Sequence, residues 1–136
     1  MSFADHRAQF LRNRVLTATP AQRVVLLYDR LNLDLSLART TDDAFEAGAH
    51  LSHAMAIVTE LQTSLDHSVV GGPAENLAKL YGYVLRRLID ARGGDTAALD
   101  DVTKVIDPLR TAWTEAAEIV ATDASPLAAT AGAWVG

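Results

Sequence analysis

The sequence predicts an all-α fold, an antiparallel up-down four-helix bundle. Four segments repeat apolar residues at the helical period, and glycine, proline or aspartate breaks them cleanly. No period-2 run of β-branched residues competes anywhere. The breaks are short, which favours antiparallel neighbours. At 136 residues with 49% apolar content, the chain is long enough to bury a core without disulfide or metal. The expected organisation is an N-terminal segment over 1–14 that can dock on the bundle, the bundle over 15–120, and a flexible tail over 121–136.

The first helix is expected from Pro20 to about Arg39. Thr19 is placed as the N-cap, Pro20 takes the first turn where its missing N–H costs nothing, and Gln22 can reach back to close a capping box. At roughly 100° per residue, Val24, Leu27, Tyr28, Leu31, Leu35 and Ala38 form one stripe, and Leu26, Leu33 and Leu37 fall on the opposite side. One face serves the chain's own core; the other needs a second explanation. Asp43 with Glu46 repeats the capping-box spacing and opens a second helix to about Asp66, with Ala47, Leu51, Ala54, Met55, Val58, Leu61 and Leu65 aligned.

Pro73 opens the third helix and Gly93-Gly94 ends it. Leu77, Leu80, Tyr81, Val84, Leu88 and Ala91 form its stripe, which Leu85 and Ile89 widen to one side. Asp95 or Thr96 caps a fourth, with Leu99, Val102, Ile106, Leu109, Trp113, Ala116 and Val120 aligned and Pro108 on its polar side, read as a kink. Tyr28, Tyr81 and Trp113 fit core positions, whereas Tyr83 falls among charged residues. The ends differ in character. Residues 3–14 hold Phe3, Phe10 and Leu11 in a stretch too short to be a stable helix alone, and Trp134 stands in a breaker-rich tail.

Composition narrows the function. A net charge of −5 argues against phosphate-rich partners, so no nucleic acid is expected, and the arginines Arg7, Arg12, Arg14 and Arg23 read as a solvated face. No apolar run reaches the roughly 20 residues of a membrane span, and no signal-peptide pattern occurs. The expected location is the cytoplasm. There is no cysteine to supply a nucleophile or disulfide. His50, His53 and Glu46 have a spacing that can hold a metal, but a di-iron bundle needs Glu-x-x-His pairs, which this chain lacks. Surface histidines are the plain reading. No nucleotide, protease or hydrolase motif is present, and neither enzymatic activity nor a metal or other cofactor is expected.

The order of several local patterns is more specific. Val15-Leu16-Thr17-Ala18-Thr19-Pro20 leads to Leu27-Tyr28-Asp29. His53-Ala54-Met55-Ala56-Ile57-Val58-Thr59-Glu60-Leu61 is followed by Ser64-Leu65-Asp66 and Gly71-Gly72. Leu80-Tyr81-Gly82-Tyr83-Val84-Leu85-Arg86-Arg87-Leu88 and Leu109-Arg110-Thr111-Ala112-Trp113 complete the series. Together they resemble the flagellar secretion chaperone family FliS, the export chaperones of flagellin, over about residues 10–113.

The resemblance implies a one-to-one complex with the disordered C-terminal segment of flagellin, which folds into helices along grooves of the chaperone. Covering that segment prevents premature polymerisation, and the complex is delivered to the cytoplasmic domain of the export gate protein FlhA. A family tyrosine that covers an apolar partner site in the free chaperone matches Phe10 here, which keeps the apolar plug and loses the hydroxyl. The self-capping or export-gate segment would then include Arg7, Phe10 and Leu11. The flagellin-contact candidates are Phe10, Val15, Leu26, Leu33, Leu37, Ile57, Leu61, Leu85 and Ile89. The free chain is expected to be a monomer or weak homodimer without membrane insertion. The rival reading is a self-associating structural bundle that pairs through the second apolar face of the first helix.

Overall fold

The computed structural model describes residues 5–6 and 18–122. Four helices follow one another: α1 (Pro20–Thr40), α2 (Ala44–Thr63), α3 (Ala74–Arg92) and α4 (Ala98–Thr122). There is no extended strand among the described residues. The packed pairs are α1 with α2 and α4, and α3 with α2 and α4, so the helices form a square with α1 and α3 on one diagonal. Cross-helix contacts give the directions. Asp29 meets Arg110 and Arg39 meets Asp100, so α1 and α4 run antiparallel. Gln62 bonds the Ala78 carbonyl while Gly48 lies beside Arg92, so α2 and α3 are antiparallel as well.

The helix ends are made largely by the local chemistry expected of them. Thr19 Oγ1 accepts from Gln22 N at 3.1 Å, and Gln22 Oε1 accepts from Thr19 N at 2.9 Å, a complete capping box. On α2 only half of the expected box forms. Asp43 accepts from the amides of Phe45 and Glu46, but Glu46 turns away to accept from the Thr41 hydroxyl. That hydroxyl in turn accepts the Asp43 amide at 3.2 Å, so the orphan donor is satisfied by another route.

Helix α2 stops at Thr63, earlier than the expected Asp66. Thr63 and Ser64 hydroxyls bond back to the Glu60 and Leu61 carbonyls, and Asp66 accepts from the Ser68 amide and hydroxyl. These local bonds compete with helix continuation. They also hold the Asp66 carboxyl below the usual carboxylate range.

Helix α3 closes in a Schellman motif. Asp95 N bonds Asp90 O and Gly94 N bonds Ala91 O, with Gly94 at φ +113°. Arg87 braces the turn into α4 through Asp90, Asp95 and Asp101, the first of which raises its guanidinium pKa further. Helix α4 starts with a tight turn of i→i−3 bonds and continues through Pro108, whose exposed position leaves the unbonded carbonyl to water.

The core is the set of stripes the periodicity implied, with changes at the margins. Val24, Tyr28, Leu31 and Leu35 meet Leu51, Ala54, Val58 and Leu61, then Leu77, Tyr81, Val84 and Leu88, then Leu99, Val102, Ile106 and Trp113. Leu80 emerges to the surface, and Leu27 and Met55 pack at the core's edge. At the centre the Tyr28 and Tyr81 hydroxyls bond at 2.6 Å across the diagonal. Trp113 hydrogen-bonds Tyr28, tying α1, α3 and α4 together. Burial pushes both phenols above the usual tyrosine range, Tyr28 furthest.

Candidate functional site: the outward leucines of α1

A helix that turns Tyr28, Leu31 and Leu35 inward must present residues half a turn away to solvent. Leu26, Leu33 and Leu37 occupy that outer side, within about 40° of one another and along roughly 16 Å of axis. Leu33 is 45% exposed, and Leu26 and Leu37 are half-buried. Ion pairs border the stripe. Asp29 bonds Arg110 of α4 at 2.7 Å, and Arg30 lies 3.3 Å from Asp34. The surface is apolar with a fixed polar rim, suited to an amphipathic helix rather than to a small molecule.

Asp34, beside this stripe, is fully buried, and the sequence reading did not single it out. One carboxylate oxygen bonds His53 Nδ1 of α2. The other faces Arg30 without an aligned hydrogen-bond donor among the described residues. His53 is therefore a structural partner of a buried acid and not a free surface histidine. The only legible hint was a carboxylate at the edge of an apolar stripe. No group of three or more metal-ligating side chains occurs among the described residues, and none of their helices is long and apolar enough to cross a membrane.

The other candidate residues divide by location. Ile57 and Leu61 are 5% and 2% exposed and belong to the core, because α2 packs on both α1 and α3 and buries a wider arc than one stripe. They are not available as surface contacts. Leu85 packs against the core, and Ile89 stands 56% exposed on α3. Since α3 is diagonal to α1, these two lie away from the leucine stripe, and the candidates form two faces rather than one. Arg7, Phe10, Leu11 and Val15 lie outside the described residues. The sequence reading also missed Phe45, 86% exposed at the start of α2 beside a cleft of about 350 Å³ lined by Ala44, Gly48, Ala49, Ser52 and Arg92.

Comparison with known proteins finds relatives over most of the chain. The family described as flagellar protein FliS matches residues 3–120. The flagellar secretion chaperone FliS of Salmonella typhimurium is 32% identical over 108 residues, covering 76% of this chain and 80% of that protein. The Escherichia coli protein of the same name is 30% identical over 110 residues, covering 77% and 81%. Flagellar secretion chaperone FliSB of Pseudomonas aeruginosa is 33% identical over 69 residues, half of this chain and 55% of its own length. An all-helical bundle matched along nearly its whole length by one family model belongs to that family: the chain is a member of the FliS flagellar protein family, a family of chaperones and not of enzymes.

Proposed function

We propose that this protein is a flagellar export chaperone that acts in the cytoplasm. It binds the disordered C-terminal segment of flagellin one-to-one, keeps it from polymerising prematurely, and delivers it to the cytoplasmic domain of the export gate protein FlhA. The observation that carries the reading is the outward stripe of Leu26, Leu33 and Leu37 on a helix whose opposite face already fills the core. Names of the similar proteins, flagellar secretion chaperones, support the same role.

The energetics favour an extended contact. A segment that folds on binding must offset about 1–2 kcal/mol of backbone entropy per residue. At about 25 cal/mol per Å² of apolar area, only a long apolar track supplies that. The segment over 1–14, with Arg7, Phe10 and Leu11, gates the site in the free chaperone. Deleting 1–14 leaves the bundle folded and changes flagellin affinity; an unfolded product overturns the gating role.

The direct test is titration with a peptide from the C-terminus of the same organism's flagellin, followed by calorimetry and far-UV circular dichroism. One-to-one binding with a negative heat-capacity change and added helicity supports the reading. Absence of binding at tens of micromolar, together with a concentration-dependent mass in sedimentation, replaces it with self-association through the same stripe.

A further inference from the structure

An open cleft lies at the end of the bundle where α2 begins and α3 finishes. Ala44, Phe45, Gly48, Ala49 and Ser52 line it from α2, and Arg92 closes it from α3, around a volume of about 350 Å³. From Ala44 to Ser52 is about 12 Å of helix at 1.5 Å per residue. That is room for one large side chain and not for a packed helix.

Two features shape the cleft for a flat ring. The first is Phe45. Its amide helps cap α2 on Asp43, a task any residue but proline could perform, while its phenyl ring stands almost fully exposed. An aromatic ring gains most when its faces are covered, and a second ring covers them best. The second is Gly48, one turn further on. A glycine inside a helix costs roughly 1 kcal/mol relative to alanine, and is usually required by a close neighbour or a positive φ. Neither holds here: a Cβ at Gly48 would meet only Arg92 Nε at 4.0 Å, and its φ is not positive. What the missing side chain provides is an open floor between the Phe45 ring and the Arg92 side chain. A ring placed there meets an aromatic neighbour and a guanidinium cation, both favourable to a π face.

The chain itself carries such a ring outside the described residues. Trp134 is the one aromatic of the segment over 123–136, which follows residue 120, where the family match ends. That segment holds Asp123 and no lysine or arginine, so no cation in it opposes Arg92. The reach also fits. Asp34 meets His53, Arg39 meets Asp100, and Gly48 lies beside Arg92, which places Arg39, Gly48, Arg92 and Asp100 in one layer of the bundle. From Asp100 to the end of α4 at Thr122 is about 33 Å of helix at 1.5 Å per residue. The stretch from Thr122 to Trp134 extends to about 40 Å at roughly 3.3 Å per residue. A segment that doubles back in extended form therefore brings Trp134 to the level of the cleft. Pro126 favours that form, because it fixes its own φ and keeps the residue before it extended.

We propose that the cleft takes the chain's own Trp134, its indole over Gly48 between the Phe45 ring and the Arg92 guanidinium. The segment over 123–136 is then a strap that shields Phe45 from solvent in the free protein. Its site is separate from the leucine stripe of α1 and does not depend on what covers that stripe.

The test labels the full chain with fluorotryptophan and records fluorine NMR. Trp113 and Trp134 give the two resonances, and Trp134→Phe assigns them. The Trp134 resonance is expected to lie away from that of a labelled synthetic peptide of residues 123–136. Phe45→Ala lowers the ratio of docked to free tail about five-fold and moves the resonance toward the peptide position. Gly48→Leu fills the cleft and moves it there completely. The buried Trp113 resonance and circular dichroism check that each variant is folded. Coincidence of the Trp134 resonance with that of the peptide in the unaltered chain, or a displacement that either variant leaves unchanged, overturns the proposal. So does a displacement that disappears on dilution in step with a falling mass in sedimentation, which assigns the cleft to the tail of a second copy.

Discussion

The Tyr28 hydroxyl stands between two donors or acceptors from other helices, and that arrangement makes its removal more costly than that of its neighbour. Tyr28→Phe leaves both the Trp113 N–H and the Tyr81 hydroxyl without their buried partner, whereas Tyr81→Phe leaves Tyr28 still bonded to Trp113. The expected losses in urea unfolding are about 2–3 kcal/mol and about 1 kcal/mol, respectively. Both phenols titrate higher folded than unfolded. The unfolded chain therefore releases their protons first, so stability is complete below about pH 10 and falls as pH rises beyond it. Removing both hydroxyls flattens that alkaline decline. Periodicity placed these three aromatics in the core, yet their mutual bonds join residues far apart in sequence, 53 positions for Tyr28 and Tyr81, and leave no local trace. The same holds for Asp34, whose meaning depends on His53 of another helix. His53→Ala is expected to cost about 1–2 kcal/mol, less than a fully enclosed pair because water reaches the half-exposed imidazole. Asp34→Asn costs less than His53→Ala, because it removes a buried charge and keeps an acceptor.

Helix ends were legible where one residue type has one local use. Thr19, Pro20 and Gln22 could be read as a start, and Gly93-Gly94 as a stop, because capping needs only neighbours in sequence. The end of α2 was less legible, since Thr63 and Ser64 bond back to the Glu60 and Leu61 carbonyls and Asp66 takes the Ser68 amide, while the spacing of apolar residues carries on to Leu65. The breadth of the buried arc was also beyond a single stripe, which is why Ile57 looked available as a contact. The glycines offer a sharp contrast between backbone need and its absence. Gly94 sits at φ +113°, where a side chain is strained, so Gly94→Ala is expected to cost about 1 kcal/mol or more. Gly48 and Gly82 have ordinary helical backbone and room for a methyl group, so Gly48→Ala and Gly82→Ala should each stabilise by up to about 1 kcal/mol. Chemical denaturation with unchanged m-values distinguishes the two classes. A loss at Gly82→Ala would mean that the fold itself uses that glycine.

At the scale of the molecule, the square arrangement separates two outward apolar faces. The α1 stripe and the exposed apolar residues Phe45 and Ile89 of α2 and α3 are carried by different helices, and among the described residues the buried Tyr28–Tyr81 hydrogen bond joins α1 to α3 across the diagonal. Distant sites without shared partners add their effects, usually within about 0.5 kcal/mol. Leu33→Asp is an outward substitution on α1, so the bundle should retain its stability within about 0.5 kcal/mol. Flagellin-peptide affinity, by contrast, should fall by at least ten-fold, about 1.4 kcal/mol, because a carboxylate placed in an apolar contact must be desolvated. Combining Leu33→Asp with Gly82→Leu should give a stability change equal to the sum of the two alone. If the double variant departs from that sum by more than about 1 kcal/mol, the core transmits strain between the faces, and occupancy of one will alter the other.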